Sequence, residues 1–474
     1  MSKLSVTPLE PSVPPRLPAG PRLPTLVSAA LFAFARRPFF TTLQRRYGDA
    51  FSIPLPGIGR AVVVCHPDLV KAVFTADAAV LHAGENPLGD VLGRGSIFAL
   101  DEEDHLRERR LLLPAFHGDR MRVYEELVEE EALRAMAAWP DGEEFPTLPS
   151  FNAITLRVIL RAVFGAAGDE LDELEDLLPE ATALGQRMVV APALRRDLGR
   201  RSPGGRLKRL RSRYEELVGR LIDGCLADPE LSQRTDVLAM MLQAGQDGGG
   251  EVDRTAVANE LLTLLVAGHE TTASSLAYAV ERLRRHPLVL RRLEEEAETG
   301  DSTYRAATIL ELLRHRTIIG GTGRRAVVPV QLGEWRIPAR TMLFPALATI
   351  HDDTRFHAHA EGFDPGRYVD AKPGTYTWVP FGGGRRRCLG ASFALFELEI
   401  VLRTMLRHFD LEPTNRRAER QSFRGLAYAP SDGGLAVVRR RPVPRHGDAV
   451  ASVATEVPRA AAAPAAAAGC PVAH

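Results

Sequence analysis

The longest apolar segment of the chain predicts a buried helix near its middle. From about Val252 to His286, apolar side chains occur on every side of a helix, most densely in Leu261–Ala267. A helix that is apolar all round lies inside a protein and not on its surface. We therefore expect a helix of roughly 50 Å, at 1.5 Å per residue, through the centre of the protein.

Helical patterns also dominate the rest of the chain, and the predicted strands are short. Segment 125–243 reads as helix after helix, with acidic and basic faces. Further helices are predicted at Thr25–Arg36, Phe39–Tyr47, Pro67–Phe74 and Ala391–His408. Short apolar or alternating runs predict strands at Ala50–Pro54, Arg60–Cys65, Val327–Leu332, Trp335–Ile337 and Leu343–Leu347, and a last hairpin within Gly425–Val438.

The two ends and the connectors of the chain interrupt these patterns. Residues 1–24 contain prolines at 8, 11, 14, 15, 18, 21 and 24, so we expect an extended lead-in. Residues 441–474 are rich in Ala and Pro, which predicts a disordered tail. Between them, 25–440 is expected to form a single domain. Glycines at 84, 89, 93 and 95 predict a surface loop in 77–100, and segments 189–205 and 245–250 interrupt the helices.

Composition narrows the class of protein. The 474 residues are 45% hydrophobic and 25% charged with a net charge of zero, as in soluble globular proteins, and nothing indicates nucleic acid or an anionic membrane as a partner. The cysteines lie far apart, at 65, 225, 388 and 470, so neither a zinc site nor a disulfide framework is expected. Isolated thiols suit the cytoplasm. No apolar run near the N-terminus is long enough to anchor the chain in a membrane, and we expect a cytoplasmic monomer.

One cysteine stands in a setting that favours metal binding. Segment 381–390 reads Phe-Gly-Gly-Gly-Arg-Arg-Arg-Cys-Leu-Gly, and Cys388 directly precedes the predicted helix that begins at Ala391. The positive end of that helix and the charges of Arg385–Arg387 both favour a thiolate, the form that binds metals. Glycines allow a flat ligand to lie against the backbone. The alternative is a surface loop with an incidental cysteine.

This segment resembles the haem-binding loop of the cytochrome P450 family, whose pattern is Phe-x-x-Gly-x-Arg-x-Cys-x-Gly. Phe381, Gly384, Arg386, Cys388 and Gly390 match it position by position. The resemblance implies haem b, with its iron ligated by the Cys388 thiolate, a ligand that favours O–O cleavage. It also implies that Arg386 holds a haem propionate and that Phe381 packs beside the thiolate.

The central helix carries a second motif, Ala-Gly-His-Glu-Thr-Thr at 267–272. Burying Glu270 and Thr271 in an apolar helix is costly unless they serve a purpose. In a purely structural interpretation, Thr271 would bond a carbonyl of its own helix and Glu270 would pair with an arginine. The resemblance implies instead that they are the family's acid–alcohol pair above the haem, with Gly268 giving room for dioxygen.

Other basic residues are candidates for the haem propionates. His105 and Arg109 are four residues apart and share one helix face, which alone would indicate a solvated charged surface. The resemblance implies that both bond the propionates. Arg324 is a further propionate partner by the same resemblance, with Arg325 as the alternative if the register differs by one.

A further cluster is expected to be structural. Glu311 and Arg314 lie at i and i+3 of a predicted helix, a weak signal alone because such pairs are usually exposed. Segment 363–368 resembles the family's Phe-x-Pro-x-Arg pattern, and this implies that Arg367 joins them in a buried cluster. The sequence departs from the family at Thr317, where many relatives have proline, and in 351–362, which lacks the usual prolines.

The resemblance spans roughly residues 20–440 and implies a mainly α protein with the triangular cytochrome P450 fold and small edge sheets. The implied activity is a monooxygenase that inserts one oxygen atom of O2 into a small molecule. No flavin or iron–sulfur motif is fused to the chain, so a ferredoxin and its reductase are expected to supply electrons, docking on Arg107, Arg110, Arg385 and Arg387.

The substrate and the class of activity leave alternatives. Apolar residues in 77–100 and around Leu265 suggest a lipophilic substrate, such as a terpenoid or a fatty-acid derivative. One alternative activity is a peroxygenase that uses hydrogen peroxide, although such relatives usually lack the acid–alcohol pair. The other is a haem-thiolate sensor or carrier, which would have no need of Glu270 and Thr271.

Overall fold

The structure is a computed structural model that describes residues 4–83, 87–93, 95–116, 120–165, 168–247, 253–299, 301–425 and 427–442. Outside these residues lie Cys470 and almost all of the predicted tail, together with Gly84 and part of the 245–250 connector. The α-helices of the described residues are α1 Thr25–Phe34, α2 Arg36–Tyr47, α3 Pro67–Phe74, α4 Pro87–Leu92, α5 Glu102–Leu112, α6 Arg120–Met136, α7 Leu148–Phe164, α8 Asp169–Val190, α9 Pro203–Ala227, α10 Val237–Asp247, α11 Arg254–Leu283, α12 Pro287–Thr299, α13 Thr303–His315, α14 Leu347–His351 and α15 Ala391–His408.

The strands are short and gather into small sheets. In the same described residues they are β1 Val6–Pro8, β2 Ala50–Leu55, β3 Gly59–Val64, β4 Leu81–His82, β5 Glu144–Pro146, β6 Arg324–Ala326, β7 Val330–Leu332, β8 Trp335–Ile337, β9 Met342–Pro345, β10 Phe409–Leu411, β11 Gln421–Phe423, β12 Tyr428–Pro430 and β13 Leu435–Arg440. The largest sheet has the order β2-β3-β9-β6-β4, in which only β3 and β9 run parallel. The others have the orders β1-β7-β8, β10-β13-β5 and β11-β12.

The central helix is α11, as the apolar pattern predicts. It begins after Asp253, whose carboxylate accepts the N–H groups of Thr255 and Ala256 and so caps the first turn. Its side chains from Ala273 to Leu283 are all buried. The helix packs against α7, α13 and α15, and the largest apolar cluster of the protein surrounds it.

One prediction about local structure is wrong, and two others become more specific. The predicted last hairpin is wrong: β12 pairs with β11, and β13 pairs with β10 and β5, so its two strands belong to different sheets. Residues 77–100 are not a plain loop, because α4 forms inside them. The proline-rich lead-in contains the edge strand β1, where Pro8 can pair at the end of a strand because an edge leaves one side of the backbone unpaired.

The fold places five segments around one region. Helix α15 follows Cys388, helix α5 carries His105, strand β6 carries Arg324, and α11 carries the Glu270–Thr271 pair. The segment 92–101 joins α4 to α5 and contacts both α11 and the cysteine loop, through Glu260 and Arg386. Within the described residues, no helix is long and apolar enough to cross a membrane.

Candidate functional site

The cysteine loop folds back on itself because of its glycines. Gly384 has a φ of 65°, and a Cβ at this position would lie 1.9 Å from the carbonyl oxygen of Phe74 at the end of α3. No residue with a side chain fits there. After the turn, the Cys388 N–H donates to the carbonyl oxygen of Phe381 over 2.9 Å. The loop therefore presents Cys388 just before α15, and this bond brings the backbone of Phe381 next to that of Cys388.

The environment of Cys388 acts in two directions on its thiol. Burial raises the pKa of the thiol, while an N–H from Gly390 and the charges of Arg109 and Arg387 oppose that shift. Of the three arginines expected to favour a thiolate, Arg387 is the one named here as opposing the rise in the pKa of the thiol. The Cys388 side chain is exposed, in contrast to those of Cys65 and Cys225, which are buried. A thiolate at this place needs a cation as its partner, as in a metal site.

His105 lines a small basic cavity together with Arg324 and Arg386. The imidazole is 5% exposed, and no hydrogen bond to it is found among the described residues. Burial, with the charges of Arg386 and Arg109, lowers the pKa of His105 to about 4. At neutral pH the ring is therefore uncharged and can donate one hydrogen bond into the cavity.

Arg324 is a buried cation whose nearest opposite charge, the carboxylate of Asp101, acts on it without forming an ion pair. It is 8% exposed, and one terminal nitrogen donates to Thr322 Oγ1 at 3.2 Å and to the Gly323 carbonyl at 2.8 Å. No carboxylate of the described chain lies within ion-pair distance of it. Burial and the nearby charge of Arg386 lower the pKa of Arg324 to about 10. Because a buried charge without a partner is costly, the cavity fits an anion such as a haem propionate.

Arg386 and Arg109 occupy different positions around this cavity. The Arg386 guanidinium pairs with the carboxylate of Asp101 and donates to the Leu100 carbonyl. Arg109 points to the cysteine loop, where it donates to the Arg387 carbonyl over 2.8 Å. The structure thus brings His105, Arg324 and Arg386 together and places Arg109 next to Cys388. Sequence reasoning missed Asp101, which carries no motif of its own.

The Glu270–Thr271 turn of α11 agrees with the structural interpretation at Thr271 but not at Glu270. The Thr271 hydroxyl donates to the Ala267 carbonyl at 2.9 Å, which is the expected helix back-bond. Glu270, however, meets no arginine: its carboxylate accepts a hydrogen bond from the Gln186 amide of α8. A Cβ on Gly268 would lie 3.1 Å from Ile159 of α7, so this glycine also permits close helix packing. Gln186 has no sequence signal that would have identified it.

A cavity of about 270 Å³ lies between α4, α8, α9 and α11. Its lining is mainly apolar and includes Leu88, Val91, Leu178, Leu262 and Val266, and Gln186 closes one part of it. Leu265 itself is fully buried in the core, so its neighbours on α11 line the cavity instead. Of the apolar residues predicted in 77–100, Leu88, Val91 and Leu92 line the cavity, whereas Ile97 and Phe98 do not.

A cluster of charged side chains is formed by Glu311, Arg314 and Arg367. Glu311 and Arg314 are 0% exposed and form a two-bonded ion pair at 2.7 and 2.8 Å. Arg367 approaches the Glu311 carboxylate at 3.4 Å. Arg314 also donates to the backbone carbonyls of His351, Ala360 and Gly362, so the pair joins α13 to the chain that precedes the cysteine loop.

Comparison with known proteins gives one family throughout. The family model described as Cytochrome P450 matches residues 17–435. Cytochrome P450 138 of Mycobacterium tuberculosis is 48% identical over 427 residues, covering 90% of this chain and 97% of the relative. Cytochrome P450 135B1 of the same species is 37% identical over 435 residues, covering 89% and 91%.

Two solved structures share the fold at low identity. The retinoic acid-bound cyanobacterial CYP120A1 has a TM-score of 0.79 at 21% identity and covers 90% of this chain and 100% of its own. The cytochrome P450DA heme domain has a TM-score of 0.75 at 22% identity, with coverages of 90% and 99%. At these identities the two structures support the predicted mainly helical architecture and nothing finer.

Proposed function

The chain belongs to the cytochrome P450 family of haem-thiolate monooxygenases, and from this premise we propose that it inserts one oxygen atom of dioxygen into a lipophilic small molecule. The observation that carries the proposal is the pairing of an accessible thiol, Cys388, with a basic cavity in which Arg324 forms no ion pair with any carboxylate of the described residues. A ligand with a metal centre and carboxylate groups would satisfy both.

The residues around Cys388 and the basic cavity fit haem b. Cys388 would ligate the iron, while His105, Arg109, Arg324 and Arg386 would hold the propionates. Arg109, on α5, also donates to the Arg387 carbonyl of the cysteine loop, beside the thiolate. When bound, the haem supplies activation of dioxygen, and a thiolate ligand supplies the electron density that favours O–O cleavage.

Glu270 and Thr271 are the groups that would hold and move protons. The Thr271 hydroxyl can leave the Ala267 carbonyl by a rotation about χ1 and would then hydrogen-bond the reacting oxygen or hold a water molecule beside it. Glu270 would exchange protons with solvent, and Gln186 fixes its carboxylate in the structure described above. The pair then links the reaction site to water through α8 and α11.

The apolar cavity between α8 and α11 supports a lipophilic substrate. Its lining offers few polar groups, and Val266 brings it within about one helical turn of Gly268 and Thr271. A substrate in this cavity would exclude water from the turn that carries Thr271.

Electrons must come from other proteins, as in cytochromes P450 generally. We infer a ferredoxin and a ferredoxin reductase, with the ferredoxin docking on the basic residues around the cysteine loop. Arg107, Arg110, Arg385 and Arg387 are the expected contacts. We further propose that the protein acts as a cytoplasmic monomer whose haem domain spans 25–440.

Reconstitution tests the proposal directly. Haem-loaded protein, a ferredoxin, its reductase and a panel of lipophilic compounds are combined, and the Soret shift, NADPH consumption and product are measured. We expect a Soret shift on binding and product that depends on NADPH and dioxygen. Product that forms only with hydrogen peroxide would make the protein a peroxygenase. Binding without turnover under either condition would favour a sensor or carrier.

A further inference from the structure

The apolar cavity between α4, α8, α9 and α11 is bordered by positive charge. The charged side chains among the described residues that line it are Arg195, Lys208 and Arg211, and no carboxylate is among them. Lys208 pairs with Asp197 and Arg211 with Glu215, and these two half-exposed carboxylates lie outside the lining. An anion in the cavity would therefore meet side chains of the opposite charge.

Ion pairs between α8 and α9 show which residues face each other across the cavity. Two pairs join the helices, Arg206–Glu180 and Arg213–Glu173. The arginines are seven residues apart, and so are the glutamates in the opposite direction, so the helices are antiparallel. Gly204 precedes the first arginine by two residues and Thr182 follows its glutamate by two. Gly204 and Thr182, which both line the cavity, therefore lie opposite each other.

Thr182 is a buried residue whose hydroxyl has no hydrogen-bond partner among the described residues. It is 4% exposed and lines the cavity. Other helical threonines, such as Thr155 and Thr263, donate to the carbonyl four residues earlier. Thr182 makes no such bond, so its hydroxyl is left for a group inside the cavity. Because a buried polar group without a partner is costly, Thr182 indicates a ligand that carries an oxygen atom at this position.

The region around Gly204 has a positive potential. Gly204 lies in the first turn of α9, where free N–H groups and the helix dipole favour an anion. Lys208 follows it by one helical turn and pairs with Asp197 at 3.5 Å, with 75% of its side chain exposed. Such a surface pair is weak, so Lys208 can turn to a ligand. Arg195, whose Nε donates to the Met188 carbonyl at 3.2 Å, adds a further positive charge to the lining.

We propose that the substrate is a lipophilic acid whose carboxylate lies near Gly204 and accepts hydrogen bonds from the Thr182 hydroxyl and from Lys208. Its apolar part lies against Val266 of α11, which is about 7.5 Å along the helix axis from Thr271. With the carboxylate held between α8 and α9, the carbon presented for oxidation is remote from the acid group. This inference rests on the monooxygenase function proposed above and names the substrate class of its cavity.

Binding of matched ligand pairs to the haem-loaded protein tests the substrate class without turnover. The probes are straight-chain acids from decanoic to hexadecanoic acid and the rigid abietic acid, each with its neutral methyl ester. Affinity is measured by the Soret shift and by equilibrium dialysis. We expect acids to bind roughly tenfold or more tightly than their esters, because hydrogen bonds to a charged group are the stronger ones. Higher ionic strength should weaken binding of the acids alone. Esters that bind as tightly as the acids, or no binding of any acid, would overturn the proposal.

Variants of the two donors test where the carboxylate lies. Thr182→Val removes the hydroxyl at similar volume and should weaken acid binding roughly two- to tenfold, whereas Thr182→Ser should restore it. Lys208→Met should weaken acid binding roughly two- to fivefold, as expected for an exposed charge. Lys372→Met is the matched control, because Lys372 is exposed and is not among the residues that line the cavity. Ester binding should be the same in all of these variants.

Two results with the variants would contradict the proposal. If Thr182→Val weakened acids and esters equally, Thr182 would contribute packing and no bond to the acid group. If Lys208→Met bound acids as tightly as Lys372→Met, the carboxylate would lie elsewhere.

Turnover separates this inference from the monooxygenase proposal. Acids that bind with the expected preferences but give no product with NADPH, dioxygen and redox partners would support the ligand class and refute the monooxygenase function. Esters oxidised as readily as the acids would support the monooxygenase function and refute the ligand class. Among products of the acids, we expect oxidation remote from the carboxylate. Oxidation at the carbon next to the carboxylate would place the acid group at the reaction site and refute its position near Gly204.

Discussion

Removing Glu311 is the perturbation whose cost follows most directly from the structure. Its carboxylate, 0% exposed, accepts hydrogen bonds from Arg314 at 2.7 and 2.8 Å and from the Asp364 N–H at 3.0 Å. In Glu311→Ala, Arg314 keeps its backbone carbonyl partners but loses its counter-ion in the core. Breaking a buried pair in this way costs about 3–5 kcal/mol. A domain has about 5–15 kcal/mol in total, so the variant should be close to unfolding.

Urea unfolding and haem content measure this effect. The matched control is Glu334→Ala, because Glu334 pairs with Arg16 at 2.7 Å but both side chains are 58% exposed. Such a surface pair contributes about 1 kcal/mol or less. We expect Glu311→Ala to lower the urea midpoint, the soluble yield and the haem-to-protein ratio, with Glu334→Ala close to wild type. Glu311→Gln should lie between them, since its amide oxygen can still accept one hydrogen bond. Equal midpoints for Glu311→Ala and Glu334→Ala would refute the reasoning.

Three other expectations concern the ligand, the proton route and pH. Cys388→Ser should abolish the red-shifted Soret band that a thiolate gives the reduced carbon-monoxide complex, whereas Cys225→Ser should keep it; the reverse would place the ligand elsewhere. Thr271→Ala should bind haem and substrate but divert electrons to peroxide, and Thr271→Ser should recover product; full coupling in Thr271→Ala would exclude this hydroxyl. Burial raises the pKa of Glu260 to about 8. The unfolded chain loses this proton near pH ~4.3, whereas the folded protein keeps it up to pH about 8. The free energy of unfolding should therefore fall as the pH rises between these two values. The side chain of Glu260→Gln cannot ionise, so over this pH range the free energy of unfolding of the variant, measured by urea denaturation, should fall by a few kcal/mol less than that of the wild type. An equal fall would mean that Glu260 is ionised in the folded protein.

Periodicity in the sequence was sufficient for the helices that carry the site. Helix α15 has the predicted bounds, and the central helix, predicted at about Val252–His286, runs from Arg254 to Leu283. These elements are long, and a strong local pattern decides them. Strand pairing was not predictable in the same way. Strand β13 pairs with β5, about 290 residues earlier by register, so its partner is set by how the helices bring distant segments together.

The residues of the candidate site also differ in whether the sequence alone could identify them. Residues inside motifs could be identified from the sequence, because the cysteine loop and the α11 turn are contiguous. Their partners could not: Asp101 on Arg386 and Gln186 on Glu270 each come from another element. Each is an ordinary polar residue in its own segment, and only the crossing of two elements gives it a role. Motifs thus indicate the chemistry, and tertiary packing decides the environment that tunes it.

Some buried charges in this chain form an ion pair with another residue of the protein, and others do not. This difference separates the charges that stabilise the fold from those that serve the proposed function. Glu311 and Arg314 form an ion pair with each other in the core, so they stabilise the fold and need no ligand as a partner. Arg324 is almost as buried but has no carboxylate partner in the described chain, and desolvation of its charge is a standing cost to the folded state. An anion that binds there recovers this cost only when the fold is intact, because the cavity needs α5, β6 and the cysteine loop at once. Binding of the cofactor therefore stabilises the folded chain by an amount set by its own affinity and concentration, so that folding and cofactor loading act as one coupled equilibrium.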